Sequence, residues 1–399
     1  MDIGTKNVRC VVGHVDQATG AIKIVGVGQS TNSGMRKGVV SHLTGPAAAI
    51  DKALEEAERM SGHQIDAAVL SINGSHIIST KTDGMVAVGA GGEVSAEDIA
   101  RVEEVATTGK VPANREVLEI VPHAYRLDGQ DGIKDPIGMT GTRLEISANV
   151  ISGLTPHLVN IQKSAEMASV ESLQLVPSVL ASARAVLNES QIENGVAVLD
   201  IGGATTSLAI FEEGDLQHVS VLPVGAQSVT NDLAIGLKTD PEIAEQVKLS
   251  HARFGGKDLG NVETKVDKQT HKFKQSDIDE IVEARYEEIF ELVAKELKKA
   301  GGIGRLPSGV VLVGGGSKVK GLVEFAKQQL GVAAKVGQPN GFTGMTEEVK
   351  GPEFSAVIGL VMADAIGEYS DNQPEKSKSS GGAFKKAGGF LSGLLAKFK

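Results

Sequence analysis

Short apolar runs bounded by glycine alternate with amphipathic stretches along most of this chain. Val8–Val12 and Ile22–Val27 read as two strands joined by a turn near Gln17–Gly20. Pro46 stands at the start of a periodic run from Ala47 to Met60 and Gly62 follows it, which predicts a helix with a proline start and a glycine stop. Asp66–Ile72 reads as a strand, and Ser95-Ala-Glu-Asp98 as a capping box that opens a helix to about Thr107. Val117–Ile151 is strand-like, with turns at Gly129, Gly132, Pro136 and Gly138. Pro156 opens a helix to about Met167, and Val179–Leu187 is a further helical run. Asp277–Lys299 carries Ile278, Ile281, Val282, Ile289, Val293 and Leu297 on one face of a long helix. Val310–Val313 is a strand that enters a glycine turn, with a helix to Leu330 behind it. This alternation predicts the α/β class.

The pattern also repeats. Asp2-Ile3-Gly4 precedes two apolar runs joined by a tight turn. About 200 residues later Asp200-Ile201-Gly202 precedes a run to Phe211, a turn at Glu213-Gly214 and a run from Val219 to Val224. A repeat of that kind predicts a duplication with two similar lobes.

Composition narrows the class. At 399 residues the chain is too long for one ordinary core and predicts roughly two to four domains. Apolar residues at 41% and charged residues at 23% are those of a globular body. Aromatics at 3%, with no Trp, leave few platforms for stacking bases, and a net charge of −10 argues against nucleic acid as a partner. The one cysteine, Cys10, lies in an apolar run and reads as a small buried hydrophobe. A single cysteine allows no intrachain disulfide, which fits a cytoplasmic protein. No run reaches the ~20 apolar residues of a spanning helix. Asp2 follows Met1 with no apolar region behind it, so no signal peptide is expected.

Three glycine-bearing turns follow strands: Asp2-Ile3-Gly4-Thr5, Asp200-Ile201-Gly202-Gly203-Ala204-Thr205-Thr206, and Gly314-Gly315-Gly316-Ser317. One alone is more often structural, but three in a duplicated chain point to a phosphate site. Glycine lets backbone N–H groups approach phosphate oxygens, and threonine hydroxyls add donors. Carboxylates do not face phosphate unaided, but they hold a hydrated Mg²⁺ that does. Asp2 and Asp200, one per lobe, place that metal between the lobes.

These motifs resemble those of the actin, Hsp70 and sugar-kinase superfamily, whose fold is a duplicated, ribonuclease H-like ATPase with ATP and Mg²⁺ in the cleft. The resemblance makes Asp2–Lys6 the first phosphate loop, with Gly4, Thr5 and Lys6 at the nucleotide. It makes Asp200–Thr206 the second loop and Val310–Ser317 the adenosine motif. Glu245 and Lys248 match by spacing a Glu-x-x-Lys pair at the adenosine, and Gly225 in Leu222-Pro-Val-Gly225 a further nucleotide-side turn. Without that context Glu245 and Lys248 are a solvated i,i+3 ion pair.

Within the superfamily, Gly129–Glu145 and Ser71-Ile-Asn-Gly-Ser-His76 are similar to the bacterial cell-division FtsA family, and the similarity runs nearly end to end. It implies an inserted subdomain, 1C, at 75–153 in place of actin 1B, used in self-assembly and in contacts with later division proteins. It implies lobe 1 (1A) at 1–74 and 154–194, completed by about 345–369. Lobe 2 (2A) falls at 195–225 and 306–344, with subdomain 2B at 226–305. There 2B receives the C-terminal peptide of the tubulin-like division protein FtsZ, with Arg285, Tyr286 and Glu288 as contacts.

The chain departs from the family in places. The apolar half-strand that precedes the first loop is not in this sequence, and Lys6 and Asn7 stand where the family has Thr and Lys. The second loop has Ala204 and Ser207 for Gly and Asp. Val176-Pro177 replaces the Glu-Pro of the helix before it. Val176 has no group to orient or deprotonate water, so ATP binding with slow or absent hydrolysis is expected, unless another group such as Asp200 holds the water.

Residues 370–382 contain no apolar side chain and read as a flexible linker. Beyond them Phe384, Ala387, Leu391, Leu394, Leu395 and Phe398 fall on one helical face, with Phe390 at its edge. Residues 383–399 hold four lysines, among them Lys385, Lys386 and Lys397, and no acid, so the rest of the chain carries −14. A basic amphipathic helix behind a linker reads as an in-plane anchor on an anionic membrane. Each lysine is worth about 1 kcal/mol there. A fully buried Leu or Phe gives ~1.5–3 kcal/mol. One tail therefore binds reversibly and a filament of tails tightly. The expectation is a peripheral protein on the cytoplasmic face of the membrane at the division site. There it would bind ATP, polymerise and hold FtsZ. A small-molecule kinase or chaperone-type ATPase, and a pilus-assembly adaptor, are the alternatives on the same fold. The tail disfavours both, and the Gly129–Glu145 similarity disfavours the second.

Overall fold

The computed structural model of the chain describes residues 1–16, 18–257, 259–302 and 306–365. The linker and the basic tail lie outside these residues. Among the described residues no helix is long and apolar enough to cross a membrane.

The first lobe opens with β1 (Asp2–Ile3), β2 (Asn7–Val15), β3 (Ile22–Thr31), the short pair β4 (Met35–Arg36) and β5 (Val39–Val40), α1 (Thr44–Ser61) and β6 (Ala67–Ile72). An excursion follows: β7 (Ile78–Ala87), α2 (Ala96–Thr107), β8 (Arg115–Leu127), β9 (Gln130–Ile133) and β10 (Arg143–Leu154). The chain returns through α3 (Thr155–Met167), β11 (Glu171–Pro177), α4 (Ser178–Val186) and α5 (Glu189–Asn194). The second lobe begins with β12 (Val196–Ile201), β13 (Thr206–Glu212) and β14 (Asp215–Leu222). Then come α6 (Ala226–Gly236), α7 (Pro241–His251), β15 (Asn261–Val266), β16 (Gln269–Lys274) and α8 (Gln275–Lys299). It ends with β17 (Val310–Val313), α9 (Leu322–Leu330), β18 (Ala334–Val336), β19 (Phe342–Gly344), α10 (Thr346–Val349) and α11 (Ser355–Ala365).

The two halves pair their strands alike. In the second lobe the order is β14-β13-β12-β17-β18, with β17 parallel to its neighbours β12 and β18. In the first lobe β1 lies between β2 and β6: Ser71 N–H donates to Met1 O at 2.9 Å, and the buried Met1 amine donates to Val69 O at 2.7 Å. With β3 beyond β2 and β11 beyond β6, the order β3-β2-β1-β6-β11 copies that of the second lobe. Register copies too. Asp2 sits opposite Arg9 and Asp200 opposite Ser207, seven positions on in each lobe. The duplication predicted from the hydrophobic pattern is thus a duplication of sheet geometry. One boundary moves: β19, expected with lobe 2, pairs parallel to β3 in the first lobe's sheet.

Local signals account for the elements that frame the site. Gly62 ends α1 in the left-handed region at φ 72°, its N–H on Glu58 O. Ser95 and Asp98 form the reciprocal capping box of α2. Gly314 turns the chain at the end of β17 with φ 81°. A short 3-10 turn, Gly315–Lys318, then precedes α9, so the helix expected directly after the glycines starts later.

The core is aliphatic and divided by strand parity. Val196 and Val198 of β12 pack into the cluster of the first lobe, while Ala197, Leu199 and Ile201 face the cluster under α8 and α9. The second sheet is therefore covered on both faces. Helix α4 lies between the lobes, packed on β11 and β6 on one side and on β12 and β13 on the other, and every residue of it is buried. Val176, expected in a helix, instead ends strand β11 beside Ser71. The excursion forms its own antiparallel sheet, β7-β10-β8-β9, with α2 on one face and a small separate core.

Helix α11 crosses α4 at a glycine. A Cβ on Gly359 would stand 1.7 Å from Ala181 O, far inside contact distance. Gly359→Ala is expected to push α4 and α11 apart and cost about 1–3 kcal/mol. That corresponds to a fall of roughly 1–4 °C in thermal midpoint for a chain of this size, measured by calorimetry; an unchanged midpoint would show that this crossing does not constrain the core.

Candidate functional site

The site is built by two copies of one turn. Gly4 N–H donates to Asn7 O at 3.0 Å, and Gly202 N–H donates to Thr205 O at 2.9 Å. Each turn leaves an aspartate near the strand end before it, one per lobe, close enough for the charge of Asp2 to act on Asp200. Asp2 accepts from Ser71 Oγ at 2.8 Å and lies 3.7 Å from the Arg9 guanidinium, which itself stacks over the Phe354 ring. Asp200 accepts from Ser182 Oγ at 3.1 Å. Burial, and after it the charge of Asp2, push the Asp200 carboxyl up to about 6, against weaker help from Ser182 and Arg9.

Glycines make the loops close. Gly203 lies against Lys6 of the other lobe, where a Cβ would come within 3.3 Å of Lys6 Cβ. A Cβ on Gly225 would meet Gly202 O, Gly203 O and Thr205 N at 2.7–2.8 Å. A Cβ on Gly314 would stand 2.3 Å from Asp200 Oδ1. Gly315 faces open space, whereas a Cβ on Gly316 would strike the Ile201 side chain.

Helix α7 supplies the far wall. Glu245 accepts from Lys248 at 2.7 Å and from Thr230 Oγ1 at 2.5 Å, and forms an ion pair with Lys6 across the cleft. Burial raises the Glu245 carboxyl, but the bonds from Lys248, Lys6 and Thr230 outweigh it and hold it down to about 2. Lys248 is lowered by burial against the opposing pull of Glu245, and also donates to Ala226 O. The pair is thus half-buried and cross-linked rather than solvated.

Three expected contacts fail on geometry. Thr206 is fully buried and donates its hydroxyl to Val224 O at 2.9 Å, so that hydroxyl is not offered to the cleft. Ser317 is buried and donates to Gly314 O at 2.7 Å. Tyr286, expected on a partner face, is 1% exposed and donates to Gly316 O at 2.7 Å. It props the third glycine turn from behind. Arg285 and Glu288 do stand at the surface of α8, joined to one another, with Arg285 also held by Asp232. Residues that sequence reasoning missed are Arg9, Ser71, Ser182, Thr230 and Asn73, which accepts from Ser207 Oγ at 3.0 Å. Ser71 and Asn73 lie in the Ser71–His76 stretch that carried family similarity, and the spacing Asp2–Arg9 and Asp200–Ser207 carried a signal for Arg9.

The donor set fits an oxygen-seeking dication that brings other ligands with it. Two carboxylates converge, one of them with a raised pKa that a cation would relieve. Among the described residues no cluster of three or more acidic, histidine or cysteine side chains assembles, so these side chains alone are no closed metal cage.

Two family models match the chain: "Cell division protein FtsA" over residues 197–359 and "SHS2 domain inserted in FTSA" over 74–152. The second covers the separate sheet of β7–β10, so the insert is the 1C subdomain. Cell division protein FtsA of Pseudomonas aeruginosa is 37% identical over 367 residues, covering 91% of this chain and 88% of that protein. That of Neisseria meningitidis is 36% identical, covering 100% and 96%. Among solved structures, the PilM-PilN type IV pilus biogenesis complex superposes with a TM-score of 0.66 at 17% identity, covering 91% and 97%. Ethanolamine utilization protein EutJ from Carboxydothermus hydrogenoformans gives 0.52 at 18%, covering 90% and 86%. The fold is actin-like, and by identity across nearly the full length of its relatives this chain belongs to the FtsA family of cell-division proteins.

Proposed function

We propose that this protein is an ATP-binding adaptor of bacterial division. It polymerises at the cytoplasmic face of the membrane, anchors FtsZ filaments there through its C-terminal amphipathic helix, and recruits later division proteins. The observation that carries the nucleotide reading is the doubled turn that brings Asp2 and Asp200 together beside glycine-lined loops. Asp2 and Asp200 would hold Mg²⁺, which when bound neutralises phosphate charge. The N–H groups of Gly4 and Gly202 close their own turns, which leaves the backbone N–H groups of Gly203 and Ala204, with the Lys6 ammonium, to suit phosphate. Glu245, Lys248, Gly225 and the Gly314–Gly316 turn suit the nucleoside.

Hydrolysis is expected to be slow. Val176 is buried at the end of β11, next to Ser71, and offers water no acceptor. Asp200 already accepts from Ser182 and is assigned to the metal. Phosphate release per filament subunit should fall well below that of chaperone or actin ATPases; matching turnover in a phosphate-release assay would overturn this.

The site has a defined pH dependence. Asp200 titrates near 6 in the fold and near 3.8 when free, so its ionised form is disfavoured in the native state. This group opposes folding by on the order of 2–3 kcal/mol above pH 6, and that penalty fades as pH falls toward 4. Mg²⁺ binds the ionised form and so weakens over the same fall. Asp200→Asn is expected to raise the nucleotide-free thermal midpoint at pH 7.5 and to remove the Mg²⁺-ATP-induced shift. Both are read by thermal melts from pH 5 to 8, and an unaltered Mg²⁺-ATP shift in the variant would sink the metal assignment.

Anchoring rests on the tail composition: six apolar positions on one face and four lysines. In liposome co-sedimentation with ATP, the full chain should pellet with anionic vesicles and carry FtsZ down. A chain ending at Gly381 should stay in the supernatant, and equal pelleting of both would remove the anchor. Arg285→Ala, at the α8 surface, should pellet alone but carry less FtsZ.

A further inference from the structure

The 1C subdomain is attached to lobe 1 by its two chain crossings. At that root Arg115 donates to Ser152 Oγ at 3.0 Å and to Ser152 O at 2.9 Å, and ties to His76 O. It has a second attachment, to the other lobe. Strand β14 packs on β7, β8 and β10. Asn149 of β10, 1% exposed, donates its amide to Leu216 O at 2.5 Å. Lys134, just beyond β9, donates to Asp215 at 2.5 Å, and His123 of β8 stands 3.9 Å from the same carboxylate. Val121 and Ile151 of 1C share one buried cluster with Phe211, Leu216 and Val219 of the hairpin.

The other end of that hairpin is the candidate nucleotide site. Strand β13 starts at Thr206, the last residue of the second loop. Strand β14 ends at Leu222, opposite Thr206, and the chain runs on to Gly225 beneath Gly202 and Gly203. Thr206 Oγ1 locks the two ends together through Val224 O. The hairpin is paired from Thr206–Leu222 to Glu212–Asp215, about 20 Å, with one bulge at Gln217. A displacement of the loop is carried along these paired strands toward the turn, where Asp215 and Leu216 meet 1C.

We propose that the β13–β14 hairpin is a lever that couples occupancy of the phosphate loops to the seating of 1C on lobe 2. This rests on the nucleotide reading given above. If ligand binding and 1C seating are coupled, the coupling is reciprocal. A partner or second copy that pulls 1C off β14 changes nucleotide affinity by the same factor by which nucleotide changes its grip on 1C. The lever thus gives a division partner bound at 1C a route to the nucleotide site in the absence of any direct contact with it.

Hydrogen exchange on the full chain, with and without Mg²⁺ and a non-hydrolysable ATP analogue, tests this. In wild type, uptake is expected to change at 200–206 and 222–226 and also at 119–125 and 146–152 of 1C. In Lys134→Glu, which sets like charge against Asp215 at an exposed position, the loop change should persist and the 1C change should shrink at least twofold. Adding Asp215→Lys to it, restoring an opposite pair, should bring the 1C response back. A loop response in wild type with 1C unaltered overturns the lever and leaves the nucleotide reading standing. An equal 1C response in all three proteins also overturns it, because the clasp would then be irrelevant. No response at the loops overturns the nucleotide reading itself, and the lever with it.

Discussion

Two carboxylates of like charge held together in a low-dielectric cleft are the constraint on which the rest of this structure turns. Asp2 and Asp200 end the central strands of the two sheets, and each needs support that the fold has to supply. Ser71 and Arg9 supply it to Asp2; Ser182 supplies it to Asp200. Ser182 rides on α4, which is buried on every side, so the carboxylate is fixed by the same helix that fills the space between the lobes. Glycine at 359 sets how close α11 comes to that helix. Core packing and site geometry are here a single arrangement. An apolar helix squeezed between two sheets places a hydroxyl on a charge that is still incompletely compensated.

Duplication explains the site's symmetry, and the departures from it explain its polarity. The same turn and register occur in both lobes, so each lobe offers an aspartate and glycine-lined N–H groups in the same frame. Register then dictates the differences. The residue opposite the aspartate is Arg9 in one lobe and Ser207 in the other. Lys6 and Ala204 occupy equivalent places in the two loops. Lobe 1 therefore carries the cations Lys6 and Arg9, while lobe 2 carries the carboxylate with the raised pKa and the closer glycines. An anion entering such a cleft meets positive side chains from one side and backbone dipoles from the other.

Much of this was legible locally, and the failures share one cause. Helix α1, the capping box at Ser95 and the strand-to-glycine turn at Gly314 depend on neighbours within a few residues, and they form where the pattern put them. The aspartates were legible because the repeat located them twice. What could not be read was which way a side chain points once register and tertiary contact decide it. Thr206 sits inside the strand pairing rather than in the open loop, so its hydroxyl turns to Val224. Tyr286 lies on the buried face of a helix that is acidic on its other side, and its hydroxyl finds a carbonyl that sequence distance hides. Three-residue strands such as β18 and β19 are too short to show a periodicity.

The cleft also contains its own counter-ions. Lys6 reaches from the first loop to Glu245 on α7, and Glu245 is further held by Lys248 and Thr230. Arg9 occupies part of the coordination space of Asp2. In water such pairs would add little, but Glu245 and Lys248 are largely shielded, so their partners matter more. A polyanion competes with Glu245 for Lys6, and a cation competes with Arg9 for Asp2. Entry of one without the other leaves an exposed imbalance: the anion alone sits beside two carboxylates, and the metal alone displaces only one of two cations. On the proposed nucleotide reading, the internal pairs would favour simultaneous entry of metal and phosphate. A cleft that is self-neutralised when empty would then distinguish a metal-bound polyphosphate from either component by itself.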